Sequence, residues 1–292
     1  MKAILLGPNG QLGNDIRAVN AQMRGGLSIL PVDRSNLDLC DFEAVSRFFH
    51  DLKFECIINC SGFHKTDEVE RSAQLAFSIN AHLPGLLAEI CAEKKARLVH
   101  ISTDYVFGGQ AKRSPLSESD CKAPVNVYGA SKSMGEELVL LTGGDVLILR
   151  VASLFGIAGS SGKGGNFVET MVQLGREKGI LKVIADQTMS PTATTDVARS
   201  LITMLCVGAP GGIWNVVNSD AATWYEFATR IIERTQIPAQ VIPIPTAEFP
   251  TIARRPQYSV LDNSKLASAI GPIRSWRDAL DDYLIAKSYR TT

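Results

Sequence analysis

The chain has 292 residues, 45% of them apolar, which is enough for one large α/β core with a smaller lobe beside it. Lysine plus arginine and aspartate plus glutamate both number 30, so no global field favours a nucleic acid or an anionic membrane, and any anion site has to be local. The six cysteines, Cys40, Cys56, Cys60, Cys91, Cys121 and Cys206, form no C-x-x-C pair and read as small buried residues in a reducing compartment, not as a disulfide frame or zinc site.

The opening apolar run, residues 2–6, is cut by Gly7-Pro8-Asn9-Gly10 too early for a signal peptide, and with no other long apolar stretch the expected location is the cytosol. That run reads as a first strand followed by a helical pattern at 11–22. Further strands at 28–32, 56–59, 97–102 and 146–150 alternate with helical patterns at 42–52, 73–94 and 128–141, and Asp41 stands where an N-cap would start the first of these. Alternation of this kind predicts βαβ units in an α/β fold, a doubly wound parallel sheet of the Rossmann type. After Arg150 a Gly/Ser-rich stretch at 156–165 and a helix at 167–178 leave the sheet; a strand at 182–185, a helix at 195–206 and a strand at 213–217 return to it. The Pro-rich stretch 238–256 and a last helix at 276–286 complete a smaller, discontinuous α/β substrate lobe. The expected division is a dinucleotide-binding domain of 1–155 plus about 190–218, and a substrate lobe of about 156–189 and 219–292.

Gly7, Gly10 and Gly13 follow a strand and open a helix, the context in which a glycine pattern suggests a dinucleotide: the turn is tight, the backbone can approach a pyrophosphate, and the helix N-terminus is partly positive. The spacing is one residue wider than G-x-G-x-x-G. Asp33 ends the second strand 20 residues after Gly13, where a carboxylate would bond an adenosine ribose hydroxyl, while Arg34 beside it could hold a 2′-phosphate; NADPH and NADH are both allowed. Asp38-Leu39 would lie beneath the adenine and Cys60-Ser61-Gly62 along the cofactor, although Asp38 also suits a turn before a helix.

Farther along, Tyr128 and Lys132 are four apart in a helical pattern and share a face. A lysine ammonium beside a phenol is expected to lower the tyrosine pKa from about 10 and make it a usable general acid. Thr103, at the end of a strand, offers a hydroxyl to the same carbonyl oxygen.

These pieces resemble the extended short-chain dehydrogenase/reductases and, among them, the dTDP-4-dehydrorhamnose reductases. The resemblance runs over nearly the whole chain, through Gly7-Pro8-Asn9-Gly10-Gln11-Leu12-Gly13, residues 59–80, Ser102-Thr103-Asp104-Tyr105-Val106-Phe107, Tyr128-Gly129-Ala130-Ser131-Lys132, Asn166-Phe167, Asp186-Gln187 and Arg255-Pro256. It implies Thr103, Tyr128 and Lys132 as a catalytic triad, with Lys132 also on the nicotinamide ribose, and Asn9, Gln11 and Leu12 beside the cofactor. It further implies reduction of the C4 ketone of a nucleoside-diphosphate 4-keto-6-deoxy sugar, with Asp104, Tyr105, Phe107, Leu154, Asn166, Gln187 and Arg255 near the substrate. A sugar-nucleotide epimerase, or a non-catalytic regulatory subunit on the same fold, is the alternative. The reductases carry an aromatic residue, usually tryptophan, where this chain has Leu154, which leaves the hexose open. Some relatives form magnesium-bridged dimers through clustered glutamates; here only Asp15 stands near one such position and Thr195 replaces another carboxylate, so no metal site is expected and a homodimer is left open.

In a neutral protein the diphosphate needs placed cations, and Arg254 and Arg255 are the candidates, with Lys163 on a Gly-rich flap. Asn166, Gln187 and Thr192 could bond a sugar or cap a helix or turn. His64 and Lys65 could face substrate, His100 reads as a core histidine, and Trp214, Trp224 and Trp276 as packing of the small lobe.

Overall fold

A computed structural model describes residues 1–23, 26–159 and 165–289. The first strand, β1 (Lys2–Leu6), runs into the glycine turn and α1 (Gln11–Gln22) leaves it; β2 (Ser28–Val32), α2 (Phe42–His50) and β3 (Cys56–Asn59) follow. Asp41 caps α2 by accepting from the Ala44 amide at 2.9 Å. Next come α3 (Thr66–Arg71), α4 (Ala73–Phe77), a π turn (Ser78–His82), α5 (Leu83–Glu93), β4 (Arg97–Thr103), α6 (Val127–Leu141) and β5 (Val146–Val151). The pattern at 73–94 is thus one helical run carrying a π bulge. By length and composition the run Ala73–Glu93 could cross a membrane; here its apolar side packs under the sheet through Leu83, Leu87 and Ile90.

Past β5 lie β6 (Leu154–Phe155), α7 (Phe167–Lys178), β7 (Ile180–Ile184), β8 (Thr188–Met189), β9 (Thr192–Ala193), α8 (Thr194–Cys206), β10 (Gly212–Asn215), β11 (Ala222–Thr223), α9 (Trp224–Thr235), β12 (Gln240–Ile244), α10 (Ser264–Ile270) and α11 (Trp276–Ala286). Six strands form one sheet in the order β10-β5-β4-β3-β1-β2, every neighbouring pair parallel. Chain order reverses between β1 and β3, and at such a switch point the carboxyl ends of the strands leave a crevice. One face of the sheet packs on Ile16 and Val19 of α1 and Val197, Leu201 and Leu205 of α8; the other packs on Phe49, Leu87 and Val139 of α2, α5 and α6.

A separate apolar cluster joins α7, α9 and α11 around Phe155, Phe227 and Trp276. The strand expected at 182–185 belongs here, not to the main sheet: β7 pairs with β12 in a two-stranded parallel ribbon. Its burial alternates, with Leu181 and Val183 inward and Ile180 and Lys182 outward, and a strand with one wet face does not suit a sheet covered on both sides. Trp276 and Trp224 pack in this cluster, but Trp214, on β10, sits in the main core, with the Lys265 ammonium 4.1 Å over its ring.

Candidate active site

The glycine turn at the end of β1 is forced by contact. Gly7 has φ of +74°, and a Cβ on Gly13 would lie 2.2 Å from the Gly7 carbonyl oxygen. This draws the start of α1 against the strand end. The helix N-cap is Gly10, without a side-chain cap or an acidic residue in the first turn, whereas α2, α9 and α11 are capped by Asp41, Thr223 and Ser275. The leading N–H groups of α1 are thus left for an anion. Beside them Asn9 donates to Asp33 Oδ2 at 3.0 Å, and Ser35 donates to Asp33 Oδ1 through both its hydroxyl and its amide. The bonds from Ser35, then Asn9, hold this exposed carboxylate below its ordinary range. Arg34 is exposed next to it.

Other predicted cofactor residues offer less. Leu12 is buried in the main core, and Leu39 is half-buried against the apolar cluster under the sheet. Asp38 closes a turn, accepting from the Cys40 amide at 2.9 Å. Cys60 and Ser61 stand against Gly7, whose Cβ would meet the Cys60 carbonyl at 3.0 Å, and Gly62 abuts the Asn80 side chain.

At the end of β4 the structure brings Thr103, Tyr128 and Lys132 together. Asn126 caps α6 by accepting from the Gly129 amide at 2.7 Å, and Gly129 lets the helix press on its neighbour: a Cβ there would be 2.1 Å from the Tyr105 carbonyl oxygen. Tyr128 faces Thr103, whose hydroxyl hydrogen-bonds it, and its ring meets Tyr105 edge-on at 5.5 Å. The expectation that Lys132 lowers the Tyr128 pKa is not met in this arrangement. Burial raises the phenol to about 12, the Thr103 bond only moderating it, because Lys132 turns the other way. Its Nζ donates to the Ile101 carbonyl at 2.5 Å and lies 3.3 Å from His100 Nε2. Burial in turn lowers the lysine to about 8. His100 is buried with both ring nitrogens engaged, the satisfied core histidine that the sequence suggested.

Asp104 is buried beside the triad. Burial raises its carboxyl to about 6 against hydrogen bonds from Ser259 and Thr103, and Oδ1 accepts from Thr103 at 3.1 Å. Arg255 pairs with Asp67 at 2.9 Å and keeps a buried Nη1 without a partner there; Arg254 is exposed and its carbonyl accepts from Asn126.

The remaining substrate candidates are held by their own neighbours. Phe107 is fully buried under the Arg150 guanidinium, 5.0 Å from ring centroid to charge, so it packs and does not face the crevice. Asn166 caps α7 and donates to the Gly156 carbonyl, Tyr283 and Gln11, tying the helix to the start of α1. Gln187 donates to Thr246 Oγ1 at 3.0 Å. Leu154 in β6 pairs with Thr192 in β9 and packs on the main core, Thr192 itself donating to the Ser190 carbonyl. Lys65 pairs with Glu68 at 2.9 Å, as a solvated helix-start lysine does, and His64 lies 3.5 Å from the Gly62 carbonyl. Asp15 is buried and hydrogen-bonded by Thr194, an internal contact beneath Gly156. Lys163 lies outside the described residues.

Sequence reasoning missed Asn80, Asn126 and the pair Glu136–Arg150. Asn80, within the π turn, clamps the Phe63 backbone with two 2.9 Å bonds and donates to Ser131 at 3.1 Å, joining the loop after β3 to the Tyr128 helix. Glu136, one turn beyond Lys132, is fully buried and takes two bonds from Arg150 on β5 and one from Ser102 on β4. The four-residue spacing of Tyr128, Lys132 and Glu136 was the available signal.

The RmlD substrate binding domain family matches residues 1–288. The spore coat polysaccharide biosynthesis protein SpsK of Bacillus subtilis is 35% identical, with 98% of each chain covered. Among solved structures, a dTDP-4-dehydrorhamnose reductase from Clostridium acetobutylicum superposes with TM-score 0.91 at 37% identity, covering 99% of this chain and 100% of that one. The dTDP-4-dehydrorhamnose reductase of Bacillus anthracis, in complex with NADP, gives 0.89 at 32%, covering 98% and 99%. Matched from end to end in both sequence and structure, the chain belongs to the RmlD substrate binding domain family.

Proposed function

We propose that this chain is a cytosolic NADPH- or NADH-dependent reductase of the C4 ketone of a nucleoside-diphosphate 4-keto-6-deoxy sugar, with dTDP-4-dehydrorhamnose as the first substrate to test. The observation that carries the reading is the meeting of Thr103, Tyr128 and Lys132 at the carboxyl end of β4, next to a helix N-terminus left open behind a glycine turn. Relatives named for this reaction, one with NADP bound, agree with it.

The turn fits a dinucleotide, because Gly7 and Gly13 leave no room for Cβ atoms and expose the α1 amides. When bound, the reduced nicotinamide supplies a hydride to the carbonyl carbon. The hydroxyls of Thr103 and Tyr128 then converge on the carbonyl oxygen, and Tyr128 gives it the proton that completes the alcohol. Partial burial keeps the phenol protonated until it is needed, and an ammonium on Lys132 stabilises the phenolate left behind. Arg255, whose buried Nη1 has no hydrogen-bond partner among the described residues, is the cation for the substrate diphosphate.

The test is to mix the protein with NADPH and with dTDP- and GDP-linked 4-keto-6-deoxy sugars and to follow loss of reduced nicotinamide. Cofactor binding without turnover on any of them sinks the reading. Tight retention of NAD through purification marks an epimerase instead, since a reductase must exchange its cofactor each cycle.

A further inference from the structure

The reaction above makes no use of His100, a fully buried side chain with both ring nitrogens engaged. Asn59 decides which nitrogen carries the proton. Its Oδ1 accepts from the amide and the hydroxyl of Ser61, and reversing the amide would set its NH₂ against the Ser61 N–H. The Asn59 Nδ2 is therefore the donor toward His100 Nδ1, at 3.3 Å. Burial keeps the imidazole neutral, so its proton is on Nε2.

That N–H faces Lys132 Nζ at 3.3 Å. An ammonium at this place would oppose donor to donor in a water-excluded site. A neutral amine accepts from Nε2–H and still donates to the Ile101 carbonyl. Few other groups act on the lysine. From the loop after β3 comes Cys60, kept a thiol by burial, with its pKa pushed up to about 12; from α6 itself comes Glu136, whose charge favours the ammonium but is committed to Arg150, Ser102 and Lys122.

We propose that His100 is a positioning residue for Lys132: with its tautomer set by Asn59, it holds the lysine as a neutral amine against β4, so that turning Lys132 toward Tyr128 and the ribose of a dinucleotide takes up a proton from solution. The inference rests on the reductase reading. The proton bonds to the Nζ lone pair, the contact given up is Nε2–H···Nζ, and the ammonium so formed is the form that stabilises the Tyr128 phenolate. Burial alone already moves the lysine in the same direction.

Calorimetry of NADPH and NADH binding, in buffers of different ionisation enthalpy, counts the protons exchanged. Uptake approaching one proton per cofactor is expected above pH about 8, where the amine is neutral before binding. It fades as the pH falls and the amine is already charged. Asn59→Asp offers His100 a carboxylate, so the cluster carries its extra proton beforehand and uptake is lost while binding persists. His100→Gln, whose side-chain oxygen accepts from an ammonium, gives the same loss if the first variant does not fold. Cofactor binding without uptake in the wild type, or undiminished uptake in a folded variant, overturns the inference. Failure to bind either nicotinamide dinucleotide overturns the reductase reading instead.

Discussion

Tyr128 holds its proton firmly because burial, and then the Asp104 charge, raise its pKa and Thr103 only moderates them, and its value as an acid depends on Lys132 turning back along α6. Tyr128→Phe removes the hydroxyl without disturbing the ring's edge contact with Tyr105, so turnover is expected to fall by about 10²–10⁴-fold with cofactor affinity unchanged by calorimetry. An unchanged rate removes Tyr128 as the acid. Asp104 is shifted in the same direction, a carboxyl raised by burial to about 6. An acid whose folded pKa lies above its unfolded value weakens the fold as pH rises between the two, so Asp104→Asn should unfold at a higher temperature than the wild type at neutral pH. The gap should close as pH falls below the usual aspartate range; a gap independent of pH would refute this account. Thr103, Tyr128 and Lys132 could be read from periodicity, because a strand end and one helical turn suffice to place them. Asn80, Asn126 and Asp67 could not, since each acts on a loop far away in sequence, and no local pattern records such a partner.

At the scale of elements, α6 is held in place by close approach and by charge. Gly129 touches the Tyr105 carbonyl and Gly135 the Asn80 carbonyl, each leaving just over 2 Å for a Cβ, at 2.1 and 2.2 Å. Gly129→Ala should push the helix off the β4 end, costing about 1–3 kcal/mol by denaturant titration and lowering turnover more than cofactor affinity. Glu136 with Arg150 bolts the same helix to β4 and β5. Burial works against the Glu136 carboxylate, but the Arg150 and Ser102 bonds outweigh it and leave its pKa below the ordinary value. The stability it contributes is therefore present above the unfolded glutamate pKa and is lost as pH falls through the lower folded one. Glu136→Ala strands the Arg150 guanidinium and should cost about 3–5 kcal/mol, read as a lower unfolding midpoint. At the start of α7, Asn166→Ala deletes the helix cap and its tie to Gln11, for about 1–2 kcal/mol.

For the whole molecule, the βαβ alternation of the first half translated directly into the sheet, because a parallel strand covered on both faces has to be an apolar run and its crossover has to be a helix. The second half was harder to read. Its pairs β6–β9 and β8–β11 involve two residues per strand, too short for any period to show, and β7 differs from a main-sheet strand only in the wetting of one face. One consequence of the strand order concerns synthesis. β5 pairs with β4 on one side and with β10 on the other, and β10 is made only after α7, β7 and α8 have left the ribosome. Until then the nascent sheet ends in Val146–Val151, an uncovered and largely apolar ribbon with open hydrogen-bonding groups. Translation speed across that interval thus sets how long a sticky edge stays available to other chains, and a fragment stopped before β10 should collect in aggregates that the full chain avoids.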